Sequence, residues 1–150
     1  MSIRNTIAQC RKPFASGRDR CAYYSKRYNV VIKMEKRRYN EGQSRAEAKM
    51  FMEMTDEEKK IFPIVDVVDY KGETCIIMKR CNSLRSYKTP YFSPIDSVYQ
   101  LDDLCDEYNY NPVNNKAIIK MMRKYNIHDI HFDNIGLDEN NALVLLDCGL

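Results

Sequence analysis

The sequence has little glycine and little proline, with five of each among its 150 residues. That composition argues against a disordered or collagen-like chain. No apolar run approaches the roughly 18 residues that cross a bilayer, and the first residues, MSIRNTIAQCRK, lack the apolar core of a signal peptide. We therefore expect a cytoplasmic protein that makes no membrane contact.

The cysteines also lack the spacing of a metal site. The six of them form no CxxC pair and no cluster with histidine at zinc-binding distances along the chain. Without a secretion signal, free and mostly buried thiols are expected rather than disulfides. The sequence therefore offers no soft-ligand metal centre.

The net charge of +3 is small. It allows an anionic ligand, but it does not by itself indicate a nucleic-acid partner, and none is expected. The basic run Lys36-Arg37-Arg38, together with the tyrosines, keeps nucleic-acid binding as a third functional class. A steep salt dependence of DNA or RNA binding would support that class.

The C-terminal stretch is the most informative part of the chain. Two apolar runs, 135–137 and 143–146, flank the turn-forming tetrapeptide 138–141. This pattern predicts a β-hairpin with a four-residue loop. If the strands pair about the middle of that loop, residue n faces roughly residue 279 − n, so Asn134 and Asp147 meet at the open end. Carboxylate and carboxamide oxygens are ligands that suit Mg²⁺ bound with phosphate.

Upstream, the pattern predicts a small antiparallel sheet with one inserted helix. The predicted strands are 21–24, 30–34, 64–70 and 74–78. The predicted helices are 2–12, one beginning at Arg45 with Ser44 and Glu47 at capping-box spacing, one after Thr55, 96–108 and 114–125. The fold expected is α+β: a single domain with a sheet lobe over 1–80 and a minimal, mostly helical lobe over 81–150 that ends in the hairpin.

The residues around the hairpin carry a family resemblance. Asp129, His131 and Asn134 precede it, and Asp147-Cys148-Gly149 follows it. This order resembles the catalytic loop and metal-binding triplet of the protein-kinase-like superfamily, HRD-xxxx-N followed by DFG. Ile127-His128-Asp129 stands where that family has HRD, and Cys148 stands in place of phenylalanine. A histidine at position 131 resembles the aminoglycoside and choline kinase-like branch, whose loop runs HxDxHxxN.

Upstream residues extend the resemblance in the same order. Val30-Val31-Ile32-Lys33 is similar to the VAIK strand, which makes Lys33 the candidate for the α- and β-phosphates of ATP. Glu47 is its expected ion-pair partner, with Glu41 and Glu53 as alternatives. The last two predicted strands resemble those that end the kinase sheet lobe. Met78 to Cys81 would then form the hinge beside adenine, with Met78 and Arg80 near the base.

The phosphate loop departs from the family pattern. The stretch Ser16-Gly17-Arg18-Asp19 has one glycine where GxGxxG is expected, and backbone approaches phosphate most easily at glycine. Ser16 and Gly17 remain the candidate phosphate-binding residues. Arg18 or Arg20 could add positive charge, which Asp19 would oppose.

The resemblance implies phosphoryl transfer from ATP. Asp147 and Asn134 would hold Mg²⁺, and Asp129 would orient the acceptor hydroxyl and take its proton. Lys33 and His131 would offset developing negative charge. The match covers about 14–150 and is weak over 82–112. The chain is similar to compact kinase-like proteins of bacterial and phage genomes.

Two functional hypotheses follow. The first is a minimal ATP- and Mg²⁺-dependent kinase acting on a hydroxyl of a protein or a small molecule. The second is a weak or inactive kinase-like module, a pseudokinase, that binds and modulates a partner protein. Only Leu150 follows the DFG-like triplet, where protein kinases continue with their substrate-binding helices. We therefore expect an acceptor that docks on the sheet lobe and 82–112, a partner chain that completes the site, or no phosphorylation. Neither the acceptor nor the oligomeric state follows from the sequence.

Overall fold

The chain folds into an α+β structure, as predicted. The computed structural model describes residues 3–8, 13, 15–16, 20–36, 42–84, 94–128, 130–131 and 134–147. Contacts divide the chain into two compact units, one of 1–53 with 64–80 and the other of 54–63 with 81–150. Among the described residues, no helix is long and apolar enough to cross a membrane.

An antiparallel sheet forms the body of the first unit. Its strands are β1 (Ala15–Ser16), β2 (Arg20–Ser25), β3 (Val30–Glu35), β4 (Ile64–Tyr70) and β5 (Glu73–Lys79), in the spatial order β1-β2-β3-β5-β4. Runs of valine and isoleucine favour extended backbone in β3 to β5. The turn from β4 to β5 is made by Lys71 and Gly72, whose positive φ angles of 51° and 79° suit a tight hairpin. The four predicted strands are confirmed to within one residue at each end.

The two faces of this sheet differ. On one face Ile32, Cys75 and Ile77 pack in a core with Ile7 of helix α1 (Ile3–Ala8). The rest of the helix predicted over 2–12 lies outside the described residues. Because side chains alternate along a strand, the neighbours of Ile32 point to the other face. Helix α2 (Gly42–Glu53) covers that second face.

The described part of the second unit contains helices α3 (Asp56–Ile61), α4 (Val98–Tyr108) and α5 (Asn115–Lys124), with a short 3₁₀ turn at Pro112–Asn114 before the last. The predicted cap at Thr55 is confirmed. Its hydroxyl oxygen accepts the Glu58 N–H at 3.2 Å, and Glu58 accepts the Thr55 N–H at 2.9 Å. Between α4 and α5, the buried Asn115 amide donates to Asp102 at 2.8 Å.

A small sheet completes the second unit, with strands β6 (Asn82–Ser83), β7 (Ile135–Leu137) and β8 (Leu143–Leu145) in that order. The predicted hairpin of β7 and β8 is confirmed, but its four-residue loop is wrong. Asp138 donates its N–H to the Ala142 carbonyl at 3.0 Å, which leaves three residues in the loop.

The shorter loop shifts the strand register. Ile135 faces Leu145 and Leu137 faces Leu143, so residue n faces roughly residue 280 − n instead of 279 − n. The cause is local. Asn141 adopts left-handed backbone at φ 59°, and the Asp138 carboxylate accepts the N–H groups of Asn140 and Ala142 at 2.8 and 3.1 Å. A left-handed third residue is typical of three-residue hairpin loops.

Close backbone contact fixes the middle strand of this small sheet. A Cβ added at Gly136 would lie 2.6 Å from the Asn82 carbonyl oxygen and 2.8 Å from a methyl carbon of Leu146. Backbone cannot yield as a flexible side chain can. Glycine is therefore required at this position for β6 to pair with β7.

Candidate functional site

Four charged side chains are buried together where α2 covers the first sheet. The exposed fractions of Arg20, Lys33, Glu35 and Glu47 are 7%, 9%, 7% and 0%. Charged residues are almost never so buried unless they are paired. The strand register brings three of them to one face, because Arg20 faces Glu35 across β2 and β3 and Lys33 lies two residues before Glu35. Helix α2 supplies Glu47.

Glu47 is the centre of this cluster. The Arg20 guanidinium donates Nη1 to Oε2 at 2.7 Å and Nη2 to Oε1 at 2.9 Å, a bidentate contact. Lys33 Nζ donates to Oε1 at 3.2 Å. The Lys33–Glu47 pair expected from the sequence is thus present. Of the two alternatives, Glu53 is exposed and Glu41 lies outside the described residues.

The predicted capping box of Ser44 and Glu47 is wrong. Helix α2 begins at Gly42, so both residues lie inside the helix, and both are fully buried. The first turn is capped from the sheet instead, since Ser44 donates its N–H to Glu35 Oε1 at 3.2 Å. A carboxylate at a helix N-terminus is favoured by the helix dipole. The other oxygen, Glu35 Oε2, is buried and has no hydrogen-bond partner among the residues that the structure describes.

The remaining predicted residues of the first unit lie on or beside its strands. Met78 is buried in β5 opposite Val31. Arg80 is exposed just after β5, and its guanidinium carbon stands 4.4 Å from the centre of the Tyr24 ring, a cation–π contact. Ser16 ends β1 opposite Cys21. Gly17 lies outside the described residues.

Main-chain hydrogen bonds shape the loop that precedes the hairpin in the second unit. Ile127 donates its N–H to the Met122 carbonyl at 2.8 Å, and the Ile130 carbonyl accepts the Ile95 N–H at 2.7 Å. The Ile127 and Ile130 side chains are 6% and 0% exposed. Two buried isoleucines therefore anchor the loop on either side of position 129. The predicted catalytic Asp129 itself lies outside the described residues.

His131 and Asn134 are joined by two hydrogen bonds. Asn134 Oδ1 accepts the His131 N–H at 3.0 Å, and the Asn134 N–H donates to the His131 carbonyl at 3.0 Å. The Asn134 carbonyl accepts the Leu146 N–H at 2.7 Å, so Asp147 directly follows the residue paired with Asn134. Both predicted metal ligands thus lie at the same end of the hairpin. The Asn134 amide oxygen has a second lone pair that can bind a metal ion.

A metal site of three acidic or soft ligands is absent from the described part of the chain, where no group of three or more His, Cys, Asp or Glu side chains could hold an ion. Asp129 and Asp133 lie outside that part. The donors that remain, Asn134 and Asp147, are oxygen ligands of the kind that Mg²⁺ takes together with phosphate oxygens.

A pocket of about 360 Å³ lies against the same loop. Its lining residues are Pro94, Ile95, Asp96, Ile119, Met122, Arg123, Asn126, Ile127 and His128. Its volume falls in the range of small-ligand sites. The pocket combines buried isoleucines with exposed polar groups, a combination common to ligand pockets.

The strongest shift of an acidic pKa lies outside these residues. Burial raises the pKa of Glu58, but hydrogen bonds from the Thr55 N–H, Lys124, Tyr125 and the Thr55 hydroxyl outweigh burial and lower the pKa to about 2. Lys124 Nζ lies 3.1 Å from both Glu58 oxygens, and Tyr125 donates to Oε1 at 2.9 Å. The contact ties α3 to α5, which is a structural role.

The cysteines behave as the sequence predicts wherever they are described. Cys75 and Cys105 are buried thiols, and Cys21 and Cys81 are partly buried. Burial raises the pKa of Cys105, and nearby Asp102 and Asp106 raise it further, against a hydrogen bond with Asn115 that lowers it. A raised pKa keeps the thiol protonated and unreactive.

No protein-family model matches this chain, and no curated protein matches it. The resemblance to the kinase-like superfamily therefore rests on the residues themselves.

Proposed function

We propose that this protein is an ATP- and Mg²⁺-dependent phosphotransferase of the kinase-like type, which transfers the γ-phosphate to a hydroxyl of a protein or a small molecule. The observation that carries the proposal is the buried contact of 3.2 Å between Lys33 on β3 and Glu47 on the following helix. In protein kinases a lysine on the third strand and a glutamate on the next helix form such a pair.

Within this proposal the first unit binds the nucleotide. Lys33 contacts the α- and β-phosphates, and Glu47 aims it. Ser16 and Gly17 add backbone donors to the phosphates, while Met78 and Arg80 lie beside the base. The face of the sheet that carries Lys33 suits this role, because it combines the buried cations Lys33 and Arg20 with the apolar Val31 and Met78 pair.

The second unit carries the metal ligands and the acceptor chemistry. Asn134 and Asp147 are the residues that would hold Mg²⁺, which supplies charge neutralisation to the phosphates. Asp129 orients the acceptor hydroxyl and takes its proton, and His131 offsets negative charge. Most of the rate enhancement in such chemistry comes from positioning and electrostatics.

The test is transfer of labelled phosphate from ATP in the presence of Mg²⁺, with the protein alone and with a cell lysate. We expect label on the protein or on one acceptor, and loss of at least roughly a hundredfold in an Asp147→Asn variant, because one removed electrostatic group typically costs that much. Asp103→Asn, an exposed position on α4, is the matched control. Transfer that survives Asp147→Asn would remove Asp147 from the chemistry.

A second candidate function is a kinase-like module that binds a partner without transferring phosphate. The observation that favours it is the Arg20 contact with Glu47, at 2.7 and 2.9 Å, in a cluster whose two described cations and two described carboxylates balance without any ligand. Lys33 and Glu47 can then serve structure alone. This candidate predicts no label transfer, and a stoichiometric complex with one protein that Lys33→Met leaves intact.

A further inference from the structure

We propose that Arg20 is a positioning residue that holds Glu47, and with it helix α2, in place while Glu47 aims Lys33 at a phosphate. The phosphate part of this inference rests on the proposed function. The helix part stands on the contacts of the buried cluster alone.

The two cations, Arg20 and Lys33, contact Glu47 with different geometry. Arg20 makes two hydrogen bonds, at 2.7 and 2.9 Å, one to each carboxylate oxygen. Lys33 contacts Glu47 through Oε1, at 3.2 Å. A planar guanidinium matches a carboxylate in a fixed fork, whereas a lysine ammonium is a point charge on a flexible stem. Arg20 therefore fixes the position and orientation of Glu47 more firmly than Lys33 does.

Glu35 allows two cations to share this buried space. Among the described residues, the cluster holds two cations, Arg20 and Lys33, and two carboxylates, Glu35 and Glu47. Glu35 faces Arg20 across the strand pair, and its buried Oε2 makes no hydrogen bond with any described residue. Burying a carboxylate oxygen in this way is costly. Its place beside Arg20 explains why the cost is tolerated: the charge of Glu35 balances the second cation.

The ties between α2 and the sheet are thus redundant with respect to Lys33. The Arg20–Glu47 contact and the bond from the Ser44 N–H to Glu35, at 3.2 Å, both hold α2 without involving Lys33. In a simple two-residue pair, Glu47 would depend on Lys33 alone to compensate its buried charge. The structure therefore assigns aiming to Arg20 and phosphate contact to Lys33.

Hydrogen exchange of the α2 amides tests the helix part on the full chain. We expect Lys33→Met to leave these exchange rates within about threefold of wild type. Arg20→Met should raise them by about tenfold or more, since every tenfold corresponds to about 1.4 kcal/mol of lost protection. Arg20→Lys, which keeps the charge but loses the fork, should fall between the two. Arg45→Lys, at an exposed position on the same helix, is the control.

Calorimetric titration with Mg²⁺-ATP tests the phosphate part. As a single substitution, Arg20→Lys should bind Mg²⁺-ATP about tenfold more weakly than wild type, as loss of a supporting contact typically does. It should have no further effect on the residual affinity of Lys33→Met, because Arg20 acts through Lys33. If the losses of Mg²⁺-ATP affinity add in the double variant of Arg20→Lys with Lys33→Met, Arg20 contacts the phosphate itself. That result would overturn the positioning role.

A paired variant keeps the test decisive if Arg20→Met does not fold. Arg20→Met with Glu47→Met removes both members of a buried ion pair, a change that is often close to neutral for stability. It leaves Lys33 with Glu35 and should bind Mg²⁺-ATP about tenfold more weakly, because Lys33 is no longer aimed. Wild-type affinity in this folded variant would overturn the inference.

The two proposals fail in distinguishable ways. A wild-type protein that does not bind Mg²⁺-ATP contradicts the proposed function, while the exchange comparison still decides the role of Arg20. Equal loss of α2 protection in Lys33→Met and Arg20→Met, or α2 protection unchanged in a folded Arg20→Met, would overturn that role even if ATP binds.

Discussion

The two units hold their candidate residues by different means. In the first unit, helix α2 is fixed to the sheet by charged side chains, with Glu47 bound by Arg20 at 2.7 Å and by Lys33 at 3.2 Å. In the second, the loop and hairpin that carry His131, Asn134 and Asp147 are shaped by main-chain hydrogen bonds.

This difference predicts which substitutions destabilise each unit. A buried charge that loses its partner destabilises strongly, so the first unit should be sensitive to neutral substitution of Glu47 or Arg20. A loop held mainly by its backbone should tolerate changes of side chains that do not hydrogen-bond to it, but not changes that alter backbone geometry. The substitutions below separate these two behaviours, in descending order of expected effect on stability.

The largest effect is expected at Glu47. Glu47→Gln keeps the shape of the side chain but leaves Arg20 and Lys33 buried with one carboxylate between them. We expect the free energy of unfolding to fall by about 3 to 5 kcal/mol, measured by urea denaturation. Glu53→Gln, an exposed position on the same helix, should change it by less than about 0.5 kcal/mol. A Glu47→Gln protein as stable as wild type would contradict the claim that charged side chains fix α2 to the sheet.

Gly136 tests the backbone side of the comparison. Gly136→Ala places a methyl group 2.6 Å from the Asn82 carbonyl oxygen, so the pairing of β6 with β7 must shift. A loss of about 1 to 3 kcal/mol is expected from such overpacking. Gly42→Ala, where a Cβ meets nothing within 4 Å, should be neutral or stabilising by up to about 1 kcal/mol. Equal effects at the two glycines would contradict the close contact.

Glu58 offers a third comparison, because it is a paired glutamate of the second unit that lies near the surface. Its pKa is lowered from 4.5 to about 2 in the folded state. Between these values the unfolded state binds more protons, so stability rises with pH across this window. The contribution of Glu58 is full above about pH 4.5 and is lost as the pH falls toward 2.

The measurement is urea denaturation of wild type and Glu58→Gln between pH 2.5 and 6. The stability difference, about 1 kcal/mol at pH 6, should shrink as the pH falls. Glu57→Gln is the control, since Glu57 forms only an exposed contact of 3.3 Å with Lys60 and such pairs contribute little. A difference that stays constant with pH would show that the Glu58 carboxylate is not stabilised in the fold.

The smallest effect is expected at the hairpin loop. Asn141 has φ 59°, a backbone conformation that costs alanine about 1 kcal/mol and glycine almost nothing. Asn141→Ala and Asn141→Gly both lose the amide contact with the Asn109 carbonyl at 3.1 Å. The difference between their melting temperatures therefore isolates the backbone term, and identical values would contradict the three-residue loop.

Local signals in the sequence predict most of the fold. Runs of valine and isoleucine bounded by turns gave the four longer strands, and Thr55 gave the start of α3, because both depend on neighbouring residues. The hairpin register failed by one residue because it depends on the left-handed backbone of Asn141. The start of α2 failed because its cap, Glu35, comes from a strand.

The candidate site was predictable in part for the same reason. Lys33 and Glu47 follow from the order of a strand and the next helix. The sequence suggested Arg20 only as an added charge near phosphate, and it did not suggest Glu35. Continuing the pairing of β2 with β3 outward from the turn would have placed Arg20 opposite Glu35. The roles of Asp129, His131, Asn134 and Asp147 stay predictions.

Calorimetric titration with ATP in the presence of Mg²⁺ tests the central claim, that Lys33 binds a nucleotide phosphate, most directly. We predict binding to wild type, binding at least about tenfold weaker to Lys33→Met, and unchanged binding to Lys26→Met, an exposed lysine in the β2–β3 turn. A wild-type protein that does not bind ATP, or a Lys33→Met variant that binds it equally well, would contradict the claim.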